Sequence, residues 1–124
     1  MAPNIHAMTT HIPYLLVSSM DIEPEREELF NNVYDSEHIP SLLRVPGVLS
    51  VSRFQREDLT MSIGGEVRIM PRTSAKYHAV YGLVSPDVLT SDSWARAVEL
   101  GRWPQEVRPF TTNRQHLLAR RLSF

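Results

Sequence analysis

From Ile12 onward the apolar residues come in blocks whose spacing switches between the rhythm of strands and that of helices. Tyr14-Leu15-Leu16-Val17-Ser18-Ser19-Met20 is a short β-prone run, apolar on both faces at its start, and predicts a first strand covered on each side. Asp21 and Glu23 then precede Pro24. A proline in the first turn needs no N–H and acidic side chains favour the positive helix end, so a helix is predicted to begin there. Within it Phe30, Tyr34 and His38 fall at i, i+4 and i+8 and share one stripe, while Glu25, Arg26 and Glu28 mostly face water. Pro40 is expected to disturb or end this helix, with Ser41 to Val45 adding a short turn before Pro46-Gly47. Gly47 to Gln55 reads as the second strand. Leu59 to Ile63 and Glu66 to Met70 flank Gly64-Gly65, a pair that suits a tight turn, and predict a protruding hairpin or a prolongation of the two central strands.

Lys76 to Val84 makes the third strand. Ser91-Asp92-Ser93 offers N-caps for a helix carrying Trp94, Ala97, Val98 and Leu100, which Gly101 ends. Trp103-Pro104 opens an irregular link through Pro109-Phe110, and Gln115 to Leu122 is the last strand. The hairpin aside, the order is βαββαβ. That is the ferredoxin-like α+β plan, in which two right-handed crossings lay both helices on one face of an antiparallel sheet. The other face is then bare, although Tyr14 to Val17 and Tyr77 to Val84 are apolar on both sides. A second copy of the same sheet is the cheapest cover, so a homodimer joined sheet to sheet is expected.

Composition narrows this picture more than it redirects it. The 124 residues suit one domain, 42% apolar and 22% charged, placed at residues 12–124 behind an aperiodic leader at 1–11. His6 and His11 belong to that leader, where nothing nearby completes a metal set. The near-balance of 13 basic and 14 acidic residues argues against nucleic acid as partner, and Arg114, Arg120 and Arg121 read as solvated edge charge. The lack of cysteine excludes thiolate chemistry and makes a reducing compartment the simplest home. Without a secretory or membrane-spanning pattern, the cytoplasm is the default.

The chemistry gathers in Tyr34-Asp35-Ser36-Glu37-His38-Ile39-Pro40. An imidazole on a pocket wall can accept a proton from an acidic C–H or phenol and return it, which makes His38 the candidate base. Tyr34, one turn earlier, can orient substrate or stabilise an enolate oxygen. Asp35 or Glu37 is a candidate to fix the imidazole tautomer, though neither faces the ring squarely at helical spacing. Alternatively His38 is a helix-end residue bonding a free carbonyl. On the third strand, alternation puts His78, Val80 and Gly82 on one face and Tyr77, Ala79 and Tyr81 on the other, and which face sees a pocket is open. Arg53 is a candidate carboxylate or enolate ligand, or an edge charge. Trp94 is a candidate ligand platform, or core. Gly64-Gly65 has no phosphate-loop context.

The segment YDSEHIPSLLRVPGV, with the SRF strand, the YHAVYGLVSPDVLTSDSW strand-to-helix junction and GRWPQEVRP, resembles the dimeric α/β-barrel superfamily, in particular its EthD-like branch, over residues 12–122. The aromatic, acidic residue and histidine before P…L…VPG carry most of the likeness, although that branch often has a tryptophan where this chain has Tyr34. The resemblance implies a homodimer with a pocket in each subunit between sheet and helices. It also implies small aromatic or polyketide-like substrates and neither metal nor organic cofactor. His38 and Tyr34 would then be catalytic, with Phe30, Arg53, His78, Tyr81 and Trp94 binding substrate. The expected function is a cofactor-independent enzyme working by proton transfer (isomerase, cyclase, dehydratase or monooxygenase). The alternative is a non-catalytic dimeric protein that binds a small molecule.

Overall fold

The structure, a computed structural model, describes residues 12–123; the expected leader, with His6 and His11, lies outside the described residues. Strands β1 (Tyr14–Ile22), β2 (Val48–Gln55), β5 (Tyr77–Leu83) and β6 (Thr111–Arg120) form one sheet in the order β2-β5-β1-β6, every pair antiparallel. Strands β3 (Thr60–Ile63) and β4 (Glu66–Ile69) form a separate two-stranded hairpin, turned by Gly64 and Gly65 at φ 62° and 83°. With the hairpin set aside, order and connectivity are those of the ferredoxin-like fold.

The helices cover one face of the sheet. A 3-10 turn at Pro24–Arg26 leads into α1 (Glu27–Val33), a π-helical turn (Tyr34–His38) and α2 (Ile39–Leu43); α3 is Asp92–Ala97, capped by Ser91, whose Oγ accepts the Trp94 N–H at 3.1 Å. Against this layer Leu16, Met20 and Ile22 of β1 and Tyr77, Ala79, Tyr81 and Leu83 of β5 are buried, meeting Phe30, Val33, Tyr34 and Leu42 from the helices. The alternate set, Val17, Val80 and Leu117 in register with Phe54 next to His78, points off the opposite face. There Leu117 and Phe54 are 60% and 57% exposed in the single chain.

Pro40 disturbs the helix as expected, with a π turn before it and a short helical stretch on to Leu43, while three other expectations need correction. The Ile39 N–H reaches back to the Tyr34 carbonyl, a wider turn directly before the proline, whose ring would otherwise crowd the carbonyl four residues back. The link after Gly101 is helical, with a π turn at Trp103–Val107 and a 3-10 turn at Arg108–Phe110, since Pro104 and Pro109 sit in first-turn positions that need no N–H. And β6 starts at Thr111 and ends at Arg120, not at Gln115 and Leu122, because Thr111 and Thr112 already pair with Ile22 and Asp21. The second helix is shorter than predicted, ending at Ala97.

Pro46-Gly47 acts as expected. Gly47 turns the chain into β2 at φ 93°, and a Cβ there would meet Val88 Cγ2 at 2.5 Å and Val84 Cγ2 at 2.9 Å, so only glycine fits both conformation and space.

Candidate active site

The stripe Phe30, Tyr34, His38 survives the π turn, because four residues still bring the chain back to nearly the same side. Phe30 and Tyr34 meet edge to face at 5.5 Å between centroids, and Tyr34 and His38 at 5.1 Å. Trp103, delivered by the link, lies flat on the His38 imidazole at 4.1 Å with 16° between planes and edge-on to Tyr34 at 5.0 Å. What holds Trp103 there is its neighbour. The Arg102 backbone N–H and Nε donate to the two Glu37 carboxylate oxygens at 2.9 and 2.7 Å, and the adjacent Gly101, at φ 67°, has no Cβ to strike that carboxylate. The Arg102 guanidinium and amide lower the Glu37 pKa.

Across the helix–sheet gap Tyr34 Oη and Tyr81 Oη share a buried hydrogen bond of 2.8 Å. Burial raises both phenol pKa values, so both stay neutral: two hydroxyl protons serve one mutual bond, and the second proton is free for a guest. Beside this pair opens a cavity of about 440 Å³, in the size range of small-molecule sites. Leu16, Ser18 and Met20 of β1 and Tyr81 of β5 line it from the sheet, Tyr34, His38 and Leu42 from the first helical segment with Trp103 stacked on His38, and Leu89, Trp94 and Val98 from around α3. Arg108, Arg114 and His116 stand at the remaining side.

His38 is 6% exposed and makes no side-chain hydrogen bond among the described residues; its Nδ1 is sealed off without a partner, which leaves Nε2 as the nitrogen open to a guest. Burial, then the Arg108 charge, lowers its pKa to about 4. The ring is therefore a neutral imidazole throughout the neutral range. It does not bond a helix-end carbonyl, because the helix runs on past it. Burial, then Arg114, likewise lowers the pKa of His116.

Of the residues singled out in the sequence, His38, Tyr34, Tyr81 and Trp94 come together on this cavity. Phe30, Arg53 and His78 do not line it. Phe30 is fully buried behind Tyr34 and Trp103. Arg53 lies over the Tyr34 ring at 4.6 Å and is tied to Asp35 Oδ1 at 2.8 Å and Asn31 Oδ1 at 2.7 Å, strapping the helix to β2. His78 points off the other sheet face, where its Nδ1 meets Ser19 Oγ at 2.7 Å. With Asp35 on Arg53 and Glu37 on Arg102, neither carboxylate orients the imidazole. Leu89 and Arg108 carry no candidate role in the sequence, nor does His116, and Arg114 reads there as edge charge, yet all four line the cavity. The signal for the last two was the alternation Arg114, His116, Leu118 along β6. Among the described residues no cluster of three or more His, Cys, Asp or Glu could hold a metal ion, and no helix is long and apolar enough to cross a membrane.

The tyrosine pair gives a direct check of this geometry. Tyr34→Phe and Tyr81→Phe are each expected to cost about 1 kcal/mol, and the double variant about 1 kcal/mol less than the sum, because both singles remove the same bond. Urea unfolding of the four proteins measures it; additive losses would mean the hydroxyls are not bonded to each other.

No family model matches the sequence, and no curated protein matches it significantly. Solved structures do match in fold. An ethyl tert-butyl ether degradation (EthD) family protein from Bacillus halodurans aligns at a TM-score of 0.56 with 13% identity, over 89% of this chain and 99% of that one. SnoaB, a cofactor-independent oxygenase from Streptomyces nogalater, aligns at 0.58 with 13% identity, over 91% and 96%. MhuD, a haem degrader from Mycobacterium tuberculosis with two haems bound in its active site, aligns at 0.59 with 11% identity, over 90% and 98%. The fold is thus that of the dimeric α/β-barrel proteins.

Proposed function

We propose that this chain is a small cofactor-independent enzyme that takes a proton from an acidic C–H or phenol of an aromatic or polyketide-type metabolite, with His38 as base. The observation that carries the reading is an unprotonated, unbonded imidazole on the wall of an aromatic cavity. In the forward step the substrate C–H bond breaks, the proton passes to His38 Nε2, and the electron pair stays on the substrate as an enolate. A ring with pKa about 4 is a weak base toward water. It accepts a proton when negative charge forms beside it, since an imidazolium–enolate pair attracts strongly where water is excluded. The spare hydroxyl proton of the Tyr34–Tyr81 pair is suited to the enolate oxygen.

An open cavity and a histidine free of helix-end bonds support this over a binding-only protein, for which the imidazole would be tied up and the cavity closed. The likeness in fold to a cofactor-independent oxygenase supports the same class. In a panel of enolisable aromatic ketones, at least one is expected to be converted by the wild type and not by His38→Gln. Dioxygen consumed alongside identifies a monooxygenase; its sparing identifies an isomerase, cyclase or dehydratase. A panel left untouched, with ligand nevertheless held in native mass spectrometry, would leave the binding protein as the reading.

The second half of the proposal is a homodimer through the sheet faces, a second copy covering Val17, Val80, Leu117 and Phe54. Light scattering is expected to give twice the chain mass. Leu117→Asp, at the middle of that face, should weaken the dimer by about 30-fold or more while the helix-side core stays folded. A monomeric wild type would contradict it.

A further inference from the structure

We infer that the substrate carries a carboxylate, bound by the guanidinium of Arg114 at the side of the cavity formed by β6; this rests on the proton-transfer reading above, whose aromatic substrate it specifies. Two guanidiniums and two imidazoles line the cavity, and no carboxylate does. Arg108 is already engaged, donating through Nη2 to the Val98 carbonyl at 2.8 Å and through Nη1 to Glu99 at 3.1 Å. Arg114 is not. Among the described residues no carboxylate or carbonyl takes its guanidinium, yet its charge is felt by both Tyr34 and His116 on the cavity wall.

The backbone is shaped to put it there. Between the pairs Ser19↔Gln115 and Asp21↔Thr112, β6 carries one more residue than β1, a bulge spanning Asn113 and Arg114. Asn113 takes φ 51°, a left-handed conformation rare outside glycine, and its side-chain amide donates to Asp21 Oδ2 at 3.2 Å. Bulges of this kind re-aim a side chain. Past the bulge Arg114 falls in phase with His116, opposite Ser18 on the cavity floor. An arginine fork with no acid of its own, beside apolar and aromatic walls, matches a planar carboxylate in geometry and charge. A carboxylate there would also offset the cationic side of the cavity as His38 takes up its proton.

Both tryptophans of the chain, Trp94 and Trp103, line the cavity, so their fluorescence reports a guest directly. The test titrates anthracene-9-carboxylate and its neutral isostere anthracene-9-carboxamide, following tryptophan quenching. The wild type is expected to prefer the carboxylate by about 10-fold or more, and Arg114→Gln to lose that preference while keeping its affinity for the amide. Arg120→Gln, a neutralisation on the same strand away from the cavity, is expected to retain it. Should the glutamine variant not fold, Arg114→Lys serves, its preference cut about threefold by loss of the fork. Equal wild-type affinity for the two probes, a preference that outlives Arg114→Gln or is undiminished in Arg114→Lys, or one abolished by Arg120→Gln, overturns the inference and leaves the proton-transfer reading standing. Quenching by neither probe would instead remove the aromatic substrate on which both depend.

Discussion

His38→Gln is expected to lower turnover of any accepted substrate by about 100- to 10,000-fold, the usual contribution of a positioned general base, with the fold intact. The second arm of this prediction uses stability against pH. The folded-state pKa of about 4 lies below the ordinary value of 6.5, so on acidification the unfolded chain takes up a proton first. Stability from this group is full above pH 6.5, declines as pH falls from 6.5 towards 4, and changes no further below that. The loss is on the order of 3 kcal/mol for such a shift. His116, lowered too, acts in the same sense, whereas Glu27 and Glu37, held down by Lys76 and Arg102, lose their contributions only below about pH 4.5. His38→Phe keeps a ring against Trp103 and removes the unpartnered Nδ1. It should flatten most of the decline between pH 6.5 and 4.5 without loss of stability at pH 7. A wild type as stable at pH 4.5 as at pH 7 would contradict a neutral, buried imidazole.

Phe30→Ala is expected to destabilise the protein by about 3–5 kcal/mol, the range for truncating a fully buried phenylalanine. Phe30 is 0% exposed and its ring meets Tyr34, Tyr77 and Trp103 at 5.5, 5.0 and 6.1 Å. Its removal opens a void directly behind the Tyr34–Trp103–His38 stack. Denaturant unfolding measures the loss. An effect below 1 kcal/mol would place Phe30 at a surface that can collapse or admit water, closer to the substrate-binding role expected for it in sequence.

Much of this architecture was legible because it depends on local periodicity. The i, i+4, i+8 spacing of Phe30, Tyr34 and His38 put three rings on one stripe, and the structure keeps them there. Gly64-Gly65 announced the hairpin, and Pro46-Gly47 the entry to β2. The π turn before Pro40 was not legible, since a proline read alone signals a helix end and the compensating i→i−5 bond is a property of the folded backbone. On β5 both faces are rich in apolar residues, so alternation could not say that Tyr81 faces the helices and His78 the bare side; the register with β1 decides it. The alternation of Arg114, His116 and Leu118 was open to reading, but that this face of β6 meets the cavity follows only from the pairing of His116 with Ser18 on β1. Trp103 reaches His38 through a clasp between Glu37 and Arg102, 65 residues apart, which no local pattern encodes.

Proton transfer to His38 is the step common to every reaction considered for this site, and from a carbon acid it is observable before the natural substrate is known. In oxygen-free D2O at pD 7, exchange of the benzylic C1 protons of 2-tetralone, followed by proton NMR, measures it directly. The wild type is expected to accelerate the exchange at least about 100-fold over His38→Gln at equal concentration. Exchange no faster with the wild type than with His38→Gln would contradict His38 as the base.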